Sequence, residues 1–308
     1  MGRLLTIGTL AFDAIETPFG KTSKTMGGAA NYISIAASQF GTESAVVSVI
    51  GDDYPQKYLD ILKQRNVDIS GIDHIKGGKT FFWSGRYHND MNTRDTMDTQ
   101  LNVLSEFRPK VPDEYKNAEV LMLGNLHPGL QLDVLRQMET KPKVTILDTM
   151  NYWMEKTQDL LAEAISHADV LAINDQEARQ LTGEYSLVKA AQKIMAMGVP
   201  YAVIKKGEHG ALLFHNDMVF YAPALPLEEV FDPTGAGDTF AGGFAGYLAK
   251  TEDYSFNNMK NAVIYGANLA SFCVEKFGAE RMLSLTKDEV LKRLLQFREL
   301  TQFDIKIA

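Results

Sequence analysis

Six short apolar runs recur along this chain, with segments of helical period between them, and this alternation constrains the fold most. Arg3 to Thr9 (RLLTIGT) opens the series, and Ser44 to Ile50 (SAVVSVI) is the second run. Val120 to Leu123, Val144 to Asp148, Val170 to Ile173 and Ala202 to Lys205 follow. Helical patterns occupy Ala29 to Phe40, Tyr54 to Gln64, Leu130 to Met138, Asp159 to Ser166 and Leu187 to Met197. Strands this apolar must be covered on both faces. The expectation is an α/β three-layer αβα sandwich with a mainly parallel central sheet. Ala211 to Tyr221 reads as a hairpin turning at His215-Asn216-Asp217, and the C-terminal third is mostly helical.

One stretch breaks the alternation. Ile72 to Val103 is polar, aromatic and β-rich, with almost no helical period. It predicts short antiparallel strands outside the main sheet, a lid or an interface within a single domain spanning 1–308. In open α/β sheets, ligands bind beyond the carboxyl ends of the strands. Polar residues gather there: Asp13, Asn125, Asp148, Asn174 to Glu177, and Lys205-Lys206-Gly207.

Composition excludes several classes. A formal net charge of -8 makes a poor general binder of nucleic acid or of anionic membrane. Cys273 is the single cysteine, so no intrachain disulfide forms, and a reducing, cytoplasmic setting fits. The N-terminal residues lack a secretory pattern, and no apolar run reaches membrane-spanning length. The six histidines show no zinc-ligand spacing.

The run Asp232-Pro233-Thr234-Gly235-Ala236-Gly237-Asp238-Thr239-Phe240 carries the chemistry. Phe240 to Lys250 reads as a helix packed through small residues, so the glycines sit at a helix N-terminus. Free amides and the helix dipole favour an anion there. A carboxylate at the same place would repel a stored phosphate. It makes sense if Asp238 takes a proton from a hydroxyl while the amides of Gly235, Ala236 and Gly237 hold the phosphoryl group in transfer. The alternative is a turn whose Asp caps the helix. Gly20-Lys21-Thr22 and Gly78-Lys79-Thr80 end like P-loops, but the leading glycine is Ile15 in one and Asp73 in the other. No GxGxxG or GxSxG occurs.

With these motifs in order along nearly the whole length, the chain resembles the ribokinase-like sugar kinases, the phosphofructokinase-B family. DPTGAGDTF is similar to that family's C-terminal signature, and Gly27-Gly28-Ala29-Ala30-Asn31 to its N-terminal one. Asn174-Asp175-Gln176-Glu177 matches its Asn-x-x-Glu, and Lys205 to Gly210 (KKGEHG) its nucleotide-binding element. The resemblance implies an ATP-dependent kinase with a ribokinase-like sandwich. A small β lid, made of about 11–26 and 72–103, would lie over the acceptor. Asp238 would be the base. Asn174, Glu177, Lys205, Gly207, Gly210 and Asn268 would bind ATP, with Asn268 lining the adenine pocket. Glu177, with Asn174, would hold Mg2+ mainly through water. Asp232 and Thr234 would start a K+ loop.

Asp13 would accept hydrogen bonds from a diol, with Gly27, Gly28, Asn31, Tyr32, Trp83 and Asn125 completing the acceptor side. The family's usual Asn, five positions after the first Gly, is Tyr32 here, with Asn31 one step early. Either the turn is shortened or Tyr32 faces the substrate. Asn125 stands where ribokinases carry glutamate. Both departures weaken ribose as acceptor. The acceptor expected is a small sugar or polyol, phosphorylated at a primary hydroxyl. A nucleoside such as adenosine or cytidine is the alternative. Phe82, Trp83, Arg86 and Tyr87 alternate as on a strand. Their exposed side would face either the ligand or a second copy in a homodimer. A non-catalytic binder remains a third reading, which the complete GAGD turn argues against.

Overall fold

A computed structural model describes residues 1–302 of the chain. The N-terminal part contains β1 (Leu4–Ile7), β2 (Ala11–Thr17), β3 (Gly20–Lys21), β4 (Thr25–Gly27), α1 (Ala29–Ala37), β5 (Ser44–Gly51), α2 (Gln56–Gln64) and β6 (Val67–Ile75). Next come β7 (Phe81–Tyr87), β8 (Arg94–Gln100), β9 (Val120–Leu123), α3 (Pro128–Gln137), β10 (Val144–Leu147), α4 (Asn151–Lys156) and α5 (Gln158–Ser166). Then follow β11 (Val170–Asn174), α6 (Asp175–Thr182), α7 (Leu187–Ala196), β12 (Tyr201–Lys205), β13 (Ala211–His215) and β14 (Met218–Ala222). Four helices close the chain: α8 (Ala236–Thr251), α9 (Phe256–Cys273), α10 (Glu280–Ser284) and α11 (Lys287–Thr301).

Nine strands form one sheet in the order β14-β13-β12-β11-β10-β9-β1-β5-β6. Seven run parallel, and the β13–β14 hairpin adds antiparallel to β12. Alternate side chains of each strand enter opposite layers. Leu4, Val120 and Met122 pack with Ile33 of α1 and Phe244 of α8, while Leu5, Leu121 and Leu123 pack with Leu132, Leu161 and Ile194 of α3, α5 and α7. The inner strands β1, β5, β9 and β10 are buried on both faces, which is why they are so apolar. From β1 the chain steps to β5 and β6 on one side, then returns to β9 on the other. That reversal opens a crevice at the carboxyl ends of the strands.

A second sheet has the order β3-β2-β7-β8, with β4 paired to β2. Its second segment is shorter than the stretch 72–103 expected from sequence. Residues 72–75 belong to β6, which pairs with β5 through Ile72↔Ser48 and Ile75↔Gly51. Ile69 and Ile72 pack against Val46 and Leu62, an apolar cover that a polar local composition hides. β7 also pairs parallel with β2, not antiparallel, because the two strands come from separate excursions of the chain. Among the described residues no helix is long and apolar enough to cross a membrane.

Candidate active site

The chain enters α8 through a pinned turn. The Asp232 carboxylate accepts the Thr234 amide at 2.8 Å and the Gly278 amide at 2.7 Å. Gly235 follows with φ 75°, a left-handed conformation that other residues adopt only with strain. A side chain there would also overlap the Tyr32 ring. Past this turn the amides of Gly235, Gly237 and Asp238 have no protein acceptor among the described residues. The Ala236 amide donates to Pro233 O at 3.2 Å. The expected trio 235–237 is therefore corrected. Ala236 is spent on the turn itself, and Asp238's own amide takes its place. Because α8 runs for 16 residues, its dipole adds to the pull of these donors on an anion.

Asp238 lies in the first turn of α8, partly exposed, and its carboxylate has no hydrogen-bond partner among the described residues. Around it stand Asp148 at the end of β10, Lys205 at the end of β12 and Glu177 in α6. Lys205 Nζ lies 3.4 Å from Asp148 Oδ1, and 3.2 Å from where a Cβ on Gly237 would sit. Burial, reinforced by the Asp148 charge, pushes the Asp238 carboxyl up to about 7, while Lys205 and Arg94 oppose the rise. Glu177 is lifted to about 7 for the same reasons. Asp148 is also raised by burial, against the pull of Lys205. Lys205 stays charged, because Asp148, Glu177 and Asp238 outweigh its own desolvation. A group ionising near neutrality, unbonded and beside free amides, is suited to general-base work.

On the β1–β5 side, Asp13 of β2 lies against Gly27, where any side chain would collide with its carboxyl. Burial lifts Asp13 to about 7, against the Gly28 amide that hydrogen-bonds to it. Gly28, at φ 89°, caps α1, and a side chain there would strike Thr9 O. Asn31 is placed differently from the expectation. It is fully buried, donates to Gly27 O at 2.5 Å and exchanges hydrogen bonds with Tyr54 Oη at 2.9 and 3.2 Å. Its side chain braces the glycine turn from inside. Tyr32 likewise does not line an open acceptor space: it is 2% exposed, with its ring beneath Gly235. Trp83 pairs in register with Asp13, and its ring covers Gly85. Successive strand residues alternate faces, so Asp13, Trp83, Gly85 and Tyr87 share one side of the small sheet. Arg86, on the other side, pairs with Glu16 at 3.0 Å. Asn125, past β9, is held by Trp153 Nε1 at 3.1 Å.

The opposite half of the crevice is built from β11 and β12. Asn174 caps α6: its Oδ1 accepts the Glu177 amide at 2.8 Å, and Glu177 Oε2 accepts the Asn174 amide at 2.8 Å. This reciprocal cap leaves Glu177 Oε1 unclaimed among the described residues. Asn174's oxygen is committed to the cap, so of this pair it is Glu177 that keeps a free oxygen, a hard donor that could hold a hydrated Mg2+. Gly207 opens a short helical turn after β12, and Gly210 passes so close to Ala222 O that a side chain could not fit. Asn268 departs from the expectation of an adenine-pocket residue. It is fully buried between α9 and α11, donating to Val290 O at 3.4 Å. Asp232 and Thr234 form a clamp. Both Asp232 oxygens accept amides, and Thr234 Oγ1 donates to Tyr87 Oη at 3.3 Å, so the pair pins the turn before α8.

Three participants escaped the sequence reading. Asp148 was visible only as a polar strand end, and its pairing with Lys205 needs the β10–β12 spacing. Tyr87, on a strand whose exposed side was expected to face either a ligand or a second copy, is 7% exposed and bonded to Thr234. Arg94, first residue of β8, had no local signal. Its guanidinium lies 5.1 Å from the Trp83 ring centre.

Known proteins share this architecture. A cytidine kinase of Thermococcus kodakarensis is 34% identical over 249 residues, covering 79% of this chain and 88% of the relative. The solved nucleoside kinase of Burkholderia thailandensis in complex with inosine superposes with a TM-score of 0.76 at 21% identity, covering 95% of this chain and 98% of that one. The solved fructokinase of Vibrio cholerae does so with a TM-score of 0.78 at 21% identity, covering 96% and 99%. Both solved structures show the common ribokinase fold. The profile of the pfkB family of carbohydrate kinases matches residues 1–286. A crevice with an unbonded carboxylate beside free helix amides therefore sits in a chain that belongs to the pfkB family, a kinase of the ribokinase fold.

Proposed function

We propose that this kinase transfers the γ-phosphate of ATP to a ribose hydroxyl of a nucleoside. The observation that carries the transfer is the Asp238 carboxylate, free of protein partners beside the open amides of Gly235, Gly237 and Asp238. As the acceptor oxygen attacks the γ-phosphorus, its proton passes to Asp238. The bond from that phosphorus to the bridging oxygen breaks, and ADP leaves. The amides receive the charge that spreads over the phosphoryl oxygens. Lys205, held by Asp148, lies on the same side and favours the triphosphate. A magnesium ion bound with ATP would neutralise phosphate charge, with Glu177 holding its waters.

Two observations favour a nucleoside over a free sugar. The 34% identical relative is a cytidine kinase. Trp83 stands in register with Asp13, so an aromatic face adjoins the carboxylate suited to a ribose diol. In this reading Asp13 and the Gly27-Gly28 turn hold the ribose, and Trp83 lies along the base. The small sheet acts as a lid that keeps water from the phosphoryl group. The test is a coupled ADP-release screen over nucleosides, sugars and cyclitols. Turnover should be highest with nucleosides, and ATPase activity without acceptor should be very low. Turnover confined to sugars or cyclitols would overturn the nucleoside assignment.

A further inference from the structure

We propose that Gln131, fully buried in α3, is a positioning residue: its carboxamide ties the ends of β9 and β10 and so fixes Asn125 relative to the Asp148–Lys205 pair. The inference rests on the phosphotransfer reading above and adds to it a residue from the helical layer.

Geometry is the first argument. β9 and β10 pair in register through Leu123↔Leu147, and Asp148 N closes the ladder by donating to Leu123 O at 2.9 Å. Past that bond each segment leaves the sheet toward its own part of the crevice. Gln131 Nε2 bridges the two at this point. It donates to Gly124 O at 2.9 Å and to Asp148 O at 3.0 Å, and a third carbonyl, Leu123 O, lies at 3.5 Å. Asn125, on the acceptor side, follows Gly124 directly. Asp148, whose carbonyl is held, carries the carboxylate that lies 3.4 Å from Lys205 Nζ. That ammonium lies 3.2 Å from where a Cβ on Gly237 would sit, at the amide turn. One side-chain NH2 group therefore sets the spacing of two parts of the site. Trp153 Nε1 of α4, bonded to Asn125 Oδ1 at 3.1 Å, ties the same two segments a second time.

The residue type is the second argument. Gln131 stands beside Leu132 and near Val134, both in the apolar core. A carboxamide in such a place is costly unless its polar atoms are bonded. The nitrogen of Gln131 is fully used, but Oε1 has no donor among the described residues. Turning the amide over would aim that oxygen at three carbonyls, so the orientation is fixed. A methionine would fill a similar volume without the orphaned oxygen. Packing therefore does not account for glutamine here, whereas two carbonyls at the crevice do. Group transfer is sensitive to such spacing, since a displacement of about 1 Å can cost about 10²-fold in rate.

The test uses the full chain with Gln131→Met, Gln131→Glu and, as a control for a weakened α3, Leu132→Ala. Kinetics are read well below each melting point, with ATP and the nucleoside turned over best in the screen. ATP affinity is read by calorimetry without acceptor. Gln131→Met should lower kcat by about 10- to 100-fold. ATP affinity should change by less than about fivefold, because Asn174 and Glu177 on β11 and α6 are untouched. Leu132→Ala should lower the melting temperature and leave kcat within about twofold of wild type. Gln131→Glu supplies a readout that lost stability alone does not move. Burial raises the pKa of the new carboxyl; protonated, it can donate to one carbonyl, and ionised, it repels all three. Its kcat relative to wild type should fall as pH rises from about 6 to about 9, while the ratio for Gln131→Met stays flat. The titratable groups around the clasp, His127, Asp148 and Lys205, are common to all variants, and the ratio to wild type removes their own titration. Should Gln131→Met not fold, the pH course of Gln131→Glu decides alone. A kcat for Gln131→Met within about twofold of wild type would overturn the inference. So would an equal loss in Leu132→Ala, or a flat ratio for Gln131→Glu. Each of these leaves the kinase reading intact. A wild-type chain that phosphorylates no acceptor would overturn both.

Discussion

The two sheets of this molecule meet at one crevice but are built on opposite principles. The centre of the large sheet is buried on both faces, and β1, β9 and β10 have no exposed residue. Side chains at its carboxyl edge inherit that rigidity: Asp148, Asn174 and Lys205 sit where packed strands leave them. In the small sheet every residue of β8 is exposed. Tyr87 to Thr234 and Asn92 to Gly207 are among its anchors across the crevice. A group on the large sheet is therefore placed by the core, and a group on the small sheet by a few contacts that can open. The difference teaches where preorganised charge belongs and where movement belongs.

The comparison breaks most sharply at the rigid wall. Asp238→Asn keeps the shape and removes the base, so turnover should fall about 10²–10⁴-fold with ATP binding retained. Undiminished turnover would remove Asp238 from the chemistry. Gly237→Val, which drives a side chain toward Lys205 Nζ, should cost about 10²-fold in kcat by blocking the amides. Wild-type rates there would end the anion-site assignment.

A third measurement asks what the buried charge costs. Asp13 ionises near 3.8 when unfolded and at about 7 in the fold. Between those values the folded chain holds a proton that the unfolded chain has released, so this group's contribution to stability falls as pH rises. Asp13→Asn should thus raise the melting temperature at about pH 8, by an amount worth at most a few kcal/mol, with the gain fading toward about pH 4. A gain that does not vary with pH would contradict the burial of that carboxyl. The smallest effect belongs to the mobile wall. Tyr87→Phe removes one hydrogen bond, worth about 1 kcal/mol of stability, so the melting temperature should fall slightly and kcat by no more than roughly fivefold. A drop as large as that of Asp238→Asn would mean the small sheet is no looser than the large one.

Much of this site was legible before any coordinates. Apolar runs bounded by polar strand ends located the crevice, because parallel strands must be apolar and must end together. The turn at Gly235 was legible because few residues other than glycine take its backbone angle. Asn31 and Tyr32 were not, since residues on a helix start point inward or outward according to what lies above them. Here Tyr54 and the Gly235 turn, far away in sequence, claimed both. Asn268 failed for the same reason, with α11 packed over it. The reach of β6 into the main sheet was hidden because Asp68, Ser70 and Asp73 mask the pattern of Ile69 and Ile72.

The chain's own order of residues determined the layered fold and the place of the phosphoryl chemistry, because both rest on local rules: strand apolarity, helix period and the backbone freedom of glycine. Only the tertiary structure decided which amides stay free, that Lys205 answers Asp148, and that Thr234 bonds to Tyr87 of another sheet. Those facts depend on distances between residues remote in sequence, which packing alone sets.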